Sequence, residues 1–256
     1  MKSQIDHLQS EAEANYSASR WEDSAKTYEH LVGLAQQNNE LEKAINFALE
    51  AIKAWSNLPD KLHRINRLYQ AVGLIGLKKA AIGFEELGKQ ADSNNNLKAA
   101  AANYEEAGSN YSLIQNFDKA KYCYQKAVSA FEKLSSNAEN EKDFETSIHL
   151  LDRIGALYTK LGTLLERLLI ERKDLDEQTK KELLSGKSGF YKNANELLRR
   201  KAVTHEKLAQ FYLNKKDADC NHIAKKEYLN AIKILESINE LDEAKKLKHE
   251  LEKITK

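Results

Sequence analysis

GSNYSLIQNFDKAKYCYQKA, residues 108–127, sets a cysteine between two tyrosines just after an Asn-Phe-Asp break. Either Cys123 is a reactive thiol or it belongs to the packed face of a helical hairpin, and the fold follows from that choice. The intervals favour packing. A large residue, Tyr104, lies four before Gly108 and an aromatic, Tyr111, three after it; Ala120, Tyr124 and Ala127 follow on a second helix. Gly108 and Ala120 are expected to face each other across a turn marked by Asn116 and Phe117, because a bulky side chain at either would push the helix axes apart. Tyr111 and Tyr124 are expected to wedge between helices, and Ala127 to admit the following unit. A catalytic cysteine would want a positive, partly exposed setting with a histidine beside it.

Composition agrees with a helical chain. Among 256 residues there is one proline, Pro59, and ten glycines, which suits helices joined by short polar turns and leaves little material for hairpins of strand. The class is read as all-α, a single domain over 1–256. Two cysteines, Cys123 and Cys220, make neither a disulfide framework nor a four-ligand zinc set. The N-terminal MKSQIDHLQSEAEANY lacks the apolar core of a signal peptide, and no run reaches the roughly 18 apolar residues that span a bilayer. A cytoplasmic protein working without cofactor is expected.

The same frame recurs. Residues 25–58 supply Tyr28, Val32, Ala35, Ala44, Ala48 and Ala51; residues 61–94 supply Leu68, Ala71, Ala80, Phe84 and Leu87. Residues 101–134 are the opening unit, and 202–238 fit through Leu208, Ala209, Tyr212, Ala224, Tyr228 and Ala231. An irregular stretch, 148–201, begins with Leu151, Ile154, Gly155 and Tyr158. Arg167 and Glu171 then break the frame, and one long amphipathic helix is predicted with Leu161, Leu164, Leu165, Leu168 and Leu169 on one face. A C-terminal capping helix is predicted over 240–254.

These small and aromatic positions resemble the tetratricopeptide (TPR) repeat, two antiparallel helices in roughly 34 residues. The resemblance implies a right-handed superhelix of helical hairpins, about a dozen helices in all. More weakly, AAANYEEAGSNYSLIQNFDKAKYCYQKAVSAFEKL, residues 100–134, with IHLLDRIGALYTKLG after it, is similar to the soluble NSF attachment protein (SNAP) family. That similarity implies an adaptor that lies along a helical bundle of the SNARE type in vesicle trafficking. An apolar membrane-touching loop is missing between Gln9 and Trp21, and the C-terminus KKLKHELEKITK is mostly basic where SNAPs are acidic. A TPR carboxylate clamp is matched only by Asn66, since Glu29, Gly33, Ala102 and Glu106 stand at the other positions.

Other chemistry is thin. Cys220 and His222, with Asp217 and Asp219, fall in a predicted polar turn and are short of a stable metal site. Gly186-Lys187-Ser188 lacks the glycine of a phosphate-binding loop, Lys181 standing there, so SGKSGF is read as a helix-breaking turn. The runner-up reading is a peptide-binding TPR chaperone or regulator, and an enzyme whose site is assembled from distant residues stays open as a third class. Two binding surfaces are named. The first helices of the units place Lys26, Asn66, Tyr69, Arg153, Lys160 and Lys207 on a concave face, with Glu105 and Ser109 among them, a mixture suited to a peptide or helical bundle. Between Lys180 and Lys233 there are 13 Lys/Arg against 6 Asp/Glu. Arg199, Arg200, Lys201, Lys215 and Lys216 are the candidates there for an acidic protein or an anionic membrane surface, ahead of nucleic acid.

Overall fold

The structure, a computed structural model, describes residues 2–172, 175–215 and 218–255. Those residues form ten α-helices and no strand: α1 Lys2–Ser17, α2 Trp21–Gln37, α3 Leu41–Trp55, α4 Leu62–Ser93, α5 Leu97–Leu113, α6 Phe117–Asn140, α7 Phe144–Glu171, α8 Glu177–Leu213, α9 Ala218–Ser237 and α10 Leu241–Thr255. None of them is long and apolar enough to cross a membrane.

Six of the turns between helices are chemically alike. Ser19, Asn39, Asn95, Gln115, Lys142 and Asn239 each adopt a left-handed φ of 54–64° and stand two residues before the next helix. Asn tolerates this conformation best among ordinary residues, and it fills three of the six places. The residue after each donates its N–H back five residues, as in Asn116 N to Tyr111 O at 2.9 Å and Glu40 N to Ala35 O at 2.8 Å. This satisfies a carbonyl that the ending helix leaves without a partner. Each new helix then opens on a large apolar residue: Trp21, Leu41, Leu97, Phe117, Phe144 or Leu241. Three residues later comes a small, almost fully buried one: Ser24, Ala44, Ala100, Ala120, Ser147 or Ala244. A small side chain here lets the two helices meet directly after the turn. Ser24 Oγ donates to the carbonyl of Ala12 at 2.8 Å, and the hydroxyls of Ser135 and Ser147 lie 2.9 Å apart.

The chain groups into two compact units, Met1–Gly83 with Leu113–Gln115, and Phe84–Ser112 with Asn116–Lys256. In the first, α1 packs on α2 and α2 on α3. Their core gathers Tyr28, Leu31, Phe47, Ile52 and Trp55, and α4 contributes Leu68 and Ile75 with Ile65, Val72 and Ile82 beside them. In the second, α6 packs on α7, α7 on α8, α8 on α9, and α9 on α10. One core there joins Ala202, Ala209, Tyr228, Ile232, Leu235 and Leu247. The long α7 is as predicted, with Leu161, Leu164 and Leu165 buried.

The glycines correct and extend the packing expected at the opening hairpin. What fills the space above Gly108 is the Tyr124 ring rather than Ala120: an added Cβ would stand 2.7 Å from Tyr124 Cδ1. Gly88 receives Tyr104 in the same way, at 2.9 Å. Both pairs are sixteen residues apart in sequence, an interval at which the ring of one helix covers the glycine of the helix before it.

Three further expectations give way. The helices number ten, not about a dozen. The hairpin expected over 61–94 is one continuous helix, α4, because nothing between residues 62 and 93 combines a left-handed residue with an apolar restart. SGKSGF lies inside α8, where Gly186 takes the Leu165 side chain at 3.3 Å and Lys187 pairs with Glu166. Tertiary contacts with α7 outweigh the roughly 1 kcal/mol that each glycine costs a helix.

Candidate protein-interaction site

The opening cysteine is packing. Cys123 is fully inaccessible on α6, and burial, with Glu85 adding to it, pushes its thiol up to about 12. Nearby, Glu85 on α4 is 7% exposed and takes hydrogen bonds from Tyr111 Oη at 2.6 Å, Lys119 Nζ at 2.9 Å and Lys89 Nζ at 2.5 Å. Burial alone would raise this carboxyl; the three donors outweigh it and hold it down to about 2. Tyr111 is pushed up to about 12, first by burial and then by its bond to the carboxylate. The cluster fastens α4, α5 and α6 with every member satisfied, the condition under which a buried charge is tolerated.

Arg153 and Lys160 lie two turns apart on α7. Both reach Glu105 on α5, at 2.6 and 2.9 Å. The Arg153 guanidinium lies 4.6 Å over the Phe131 ring and the Lys160 ammonium 5.6 Å from that of Tyr124. Burial would raise Glu105, and the two cations hold it lower. Glu105, itself expected on this face, thus pairs with both cations.

The basic triplet is divided among three helices. Arg199 pairs with Glu240, just before α10, and with Glu243 on α10, at 3.1 and 3.6 Å. Arg200 turns to Glu139 on α6 at 2.9 Å, with Ser135 and Ser136 each 3.3 Å away. Lys201 pairs with Asp152 on α7 at 2.5 Å. Lys207 also ends on Glu139, at 3.3 Å. Lys215 stacks on Phe211 and Tyr212, 4.6 and 5.1 Å from the ring centres, while Lys216 lies outside the described residues. Arg199, Arg200, Lys201 and Lys207 thus hold α8 to different neighbours, since successive residues of a helix point about 100° apart.

Cys220 and His222 sit in the first turns of α9, not in a polar turn, and Asp217 lies outside the described residues. Among the described residues no group of three or more His, Cys, Asp or Glu side chains is placed to hold a metal ion.

In the first unit Lys26 pairs with Glu22 one turn back, at 2.9 Å, whereas Asn66 and Tyr69 stand exposed on α4. They belong to a longer feature that the repeat frame did not reveal. Leu62, Asn66, Tyr69, Gly73, Gly76, Ala80 and Gly83 follow one another at alternating steps of four and three, the spacing of a helix seam that faces another helix. Leu62 is 68% exposed and Tyr69 56%. A Cβ added at Gly73, Gly76 or Gly83 would meet nothing within 4 Å. The buried stripe of Ile65, Leu68, Val72, Ile75 and Ile82 runs roughly a third of a turn away on the same helix. No acidic residue occurs from 61 to 84, against five Lys and Arg. The spacing and the charge were both present in the sequence. What hid them was the assumption that small residues in this stretch pack against a second helix of the same hairpin.

No protein-family model matches the chain, and no curated protein matches its sequence.

Proposed function

We propose that the chain is a non-enzymatic interaction scaffold of the TPR-like, SNAP-like kind, its hairpins stacked as a right-handed superhelix, and that it holds a helical partner along α4. The observation that carries this reading is the uncovered seam from Leu62 to Gly83. A helix loses about 1 kcal/mol for each interior glycine relative to alanine. At Gly88 and Gly108 a tyrosine ring occupies the space so created; at Gly73, Gly76 and Gly83 no described residue does. A partner helix approaching closely would use that space, reading Leu62 and Tyr69 as anchors at one end. Of the five cations from 61 to 84, Arg64 and Lys79 pair with Glu29 and Glu42 at 3.7 and 3.1 Å; the stretch itself carries no carboxylate, which suits a partner with acidic flanks. By the family resemblance such a partner is a cytoplasmic helical bundle of the SNARE type. An extended peptide would need a groove between helices, whereas this seam is one helix face.

The test places a photo-crosslinking residue at Tyr69 and, separately, at Asn214, and identifies what each captures in cells. A helical protein captured at Tyr69, and lost on Leu62→Glu with Tyr69→Glu, supports the reading. Capture confined to Asn214 overturns it, and binding satisfied by short unstructured peptides overturns the helical form of the partner.

A further inference from the structure

A separate hollow in the first unit lies among α1, α2 and α3, and the seam has no part in it. It is lined by the aromatic residues Tyr16, Tyr28 and Phe47 and by polar residues that include Glu13, Glu50 and Gln9; the volume is about 490 Å³. Tyr28 and Phe47 are buried in the core, their ring centres 6.4 Å apart. Tyr16 is held edge-on against Trp21, 4.6 Å between centres. The rings are therefore fixed before anything enters. No lysine, arginine or histidine lines the hollow.

Aromatic faces and carboxylates share one electrostatic preference. A ring face is negative, and a cation placed over it is attracted more strongly where water is excluded. Two carboxylates at the same hollow add to that attraction. We propose that this hollow binds an organic cation, an alkylammonium or guanidinium group, seated on Tyr16, Tyr28 and Phe47 and neutralised by Glu13 and Glu50. The size falls within the range of small-ligand pockets. The Tyr28 phenol is raised first by burial and then by Glu13, Glu50 and Tyr16.

The charged groups around it are few. Gln9 Nε2 donates to Glu13 Oε1 at 2.9 Å. Glu50 is engaged by Lys53 at 2.5 Å, one turn along α3. Lys53 is thus an internal competitor, and removing it is expected to strengthen binding. That sign distinguishes a cation site from a generic apolar hollow, for which Lys53 would be irrelevant.

The experiment is calorimetric titration of the full chain with three probes: tetramethylammonium, N-acetyl-trimethyllysine amide, and the neutral isostere of the latter with carbon in place of the charged nitrogen. Weak binding of the charged probes is expected, with the isostere weaker by about tenfold. Glu13→Gln is expected to weaken the charged probes several-fold, Tyr16→Leu by about tenfold, and Lys53→Gln to tighten them about threefold. Circular dichroism checks that each variant keeps its helices. Equal affinities for charged and neutral probes overturn the proposal. So does indifference of the charged probes to Glu13→Gln together with Lys53→Gln, or absence of binding by either cation. Should the amide bind several-fold more tightly than tetramethylammonium, the natural occupant is a side chain of a peptide; equal affinities point to a free small cation.

Discussion

Replacing Gly73, Gly76 and Gly83 by alanine separates the two uses of glycine in this chain. All three lie inside α4 in helical conformation, and an added Cβ meets no atom within 4 Å at any of them. No overpacking term enters, and the propensity gain of about 1 kcal/mol at each site stands alone, giving about 2–3 kcal/mol for the triple change. With a urea m-value of about 2 kcal/mol/M, the midpoint rises by about 1 M. Gly108→Ala is the contrast. Its Cβ would lie 2.7 Å from Tyr124 Cδ1 and 3.1 Å from Cγ, at the root of a buried ring whose hydroxyl is tied to Ser109. Overpacking of about 1–3 kcal/mol there meets or exceeds the same propensity gain, so the midpoint holds or falls. Urea unfolding followed by far-UV circular dichroism reads both. A triple alanine variant less stable than the parent would show that the seam is packed within the chain, and the reasoning that assigns it to a partner would fail.

Four other outcomes follow from the pairs described. The Glu85 carboxyl lies near 2 in the folded chain against an ordinary 4.5, so its contribution is present above pH 4.5 and is lost as pH falls toward 2, about 3 kcal/mol in all; Lys119→Met should reduce that acid sensitivity, measured as stability against pH. Arg200→Met leaves Glu139 with Lys207 and the Ser147 hydroxyl and should destabilise by about 1–2 kcal/mol, whereas Lys215→Met stays within about 0.5 kcal/mol in the same unfolding assay. A soluble thiol reagent should label Cys220 and leave Cys123 unmodified until denaturant is added, since the latter is fully buried. Phe117→Ser, which removes the apolar restart of α6, should cost about 2–3 kcal/mol or more if the turn motif governs hairpin formation, and near zero if it does not.

The opening hairpin was legible because its information is local. Asn116 ends one helix and caps the next, accepting from Lys119 N, while the small and aromatic positions lie within two turns of it. The six-fold turn is equally local, yet it went unread: its marker is a left-handed residue, then one more, then an apolar residue with a small one three further on. Applied to 61–94, that rule would have removed the false hairpin. The basic triplet failed for a different reason. Arg199, Arg200 and Lys201 are adjacent, but their carboxylates at 240, 139 and 152 are distant in sequence, and a charge count sees only the numerator. SGKSGF continued as helix because Leu165 and Glu166, on another helix, supplied what its glycines lacked.

The uniform turns also bear on how such a chain can change length over generations. Asn39-Glu40-Leu41-Glu42-Lys43-Ala44 and Asn239-Glu240-Leu241-Asp242-Glu243-Ala244 are nearly the same hexapeptide, and four other turns share its plan. Unequal crossing-over between two such turns joins a helix end to a helix start that already carries the matching φ, apolar opening and small residue. When the excised segment holds an even number of helices, chain direction at the join is preserved as well. Gene rearrangement can therefore delete or duplicate hairpins here without inventing a new junction, and the joints, more than the helices between them, are the units that such rearrangement reuses.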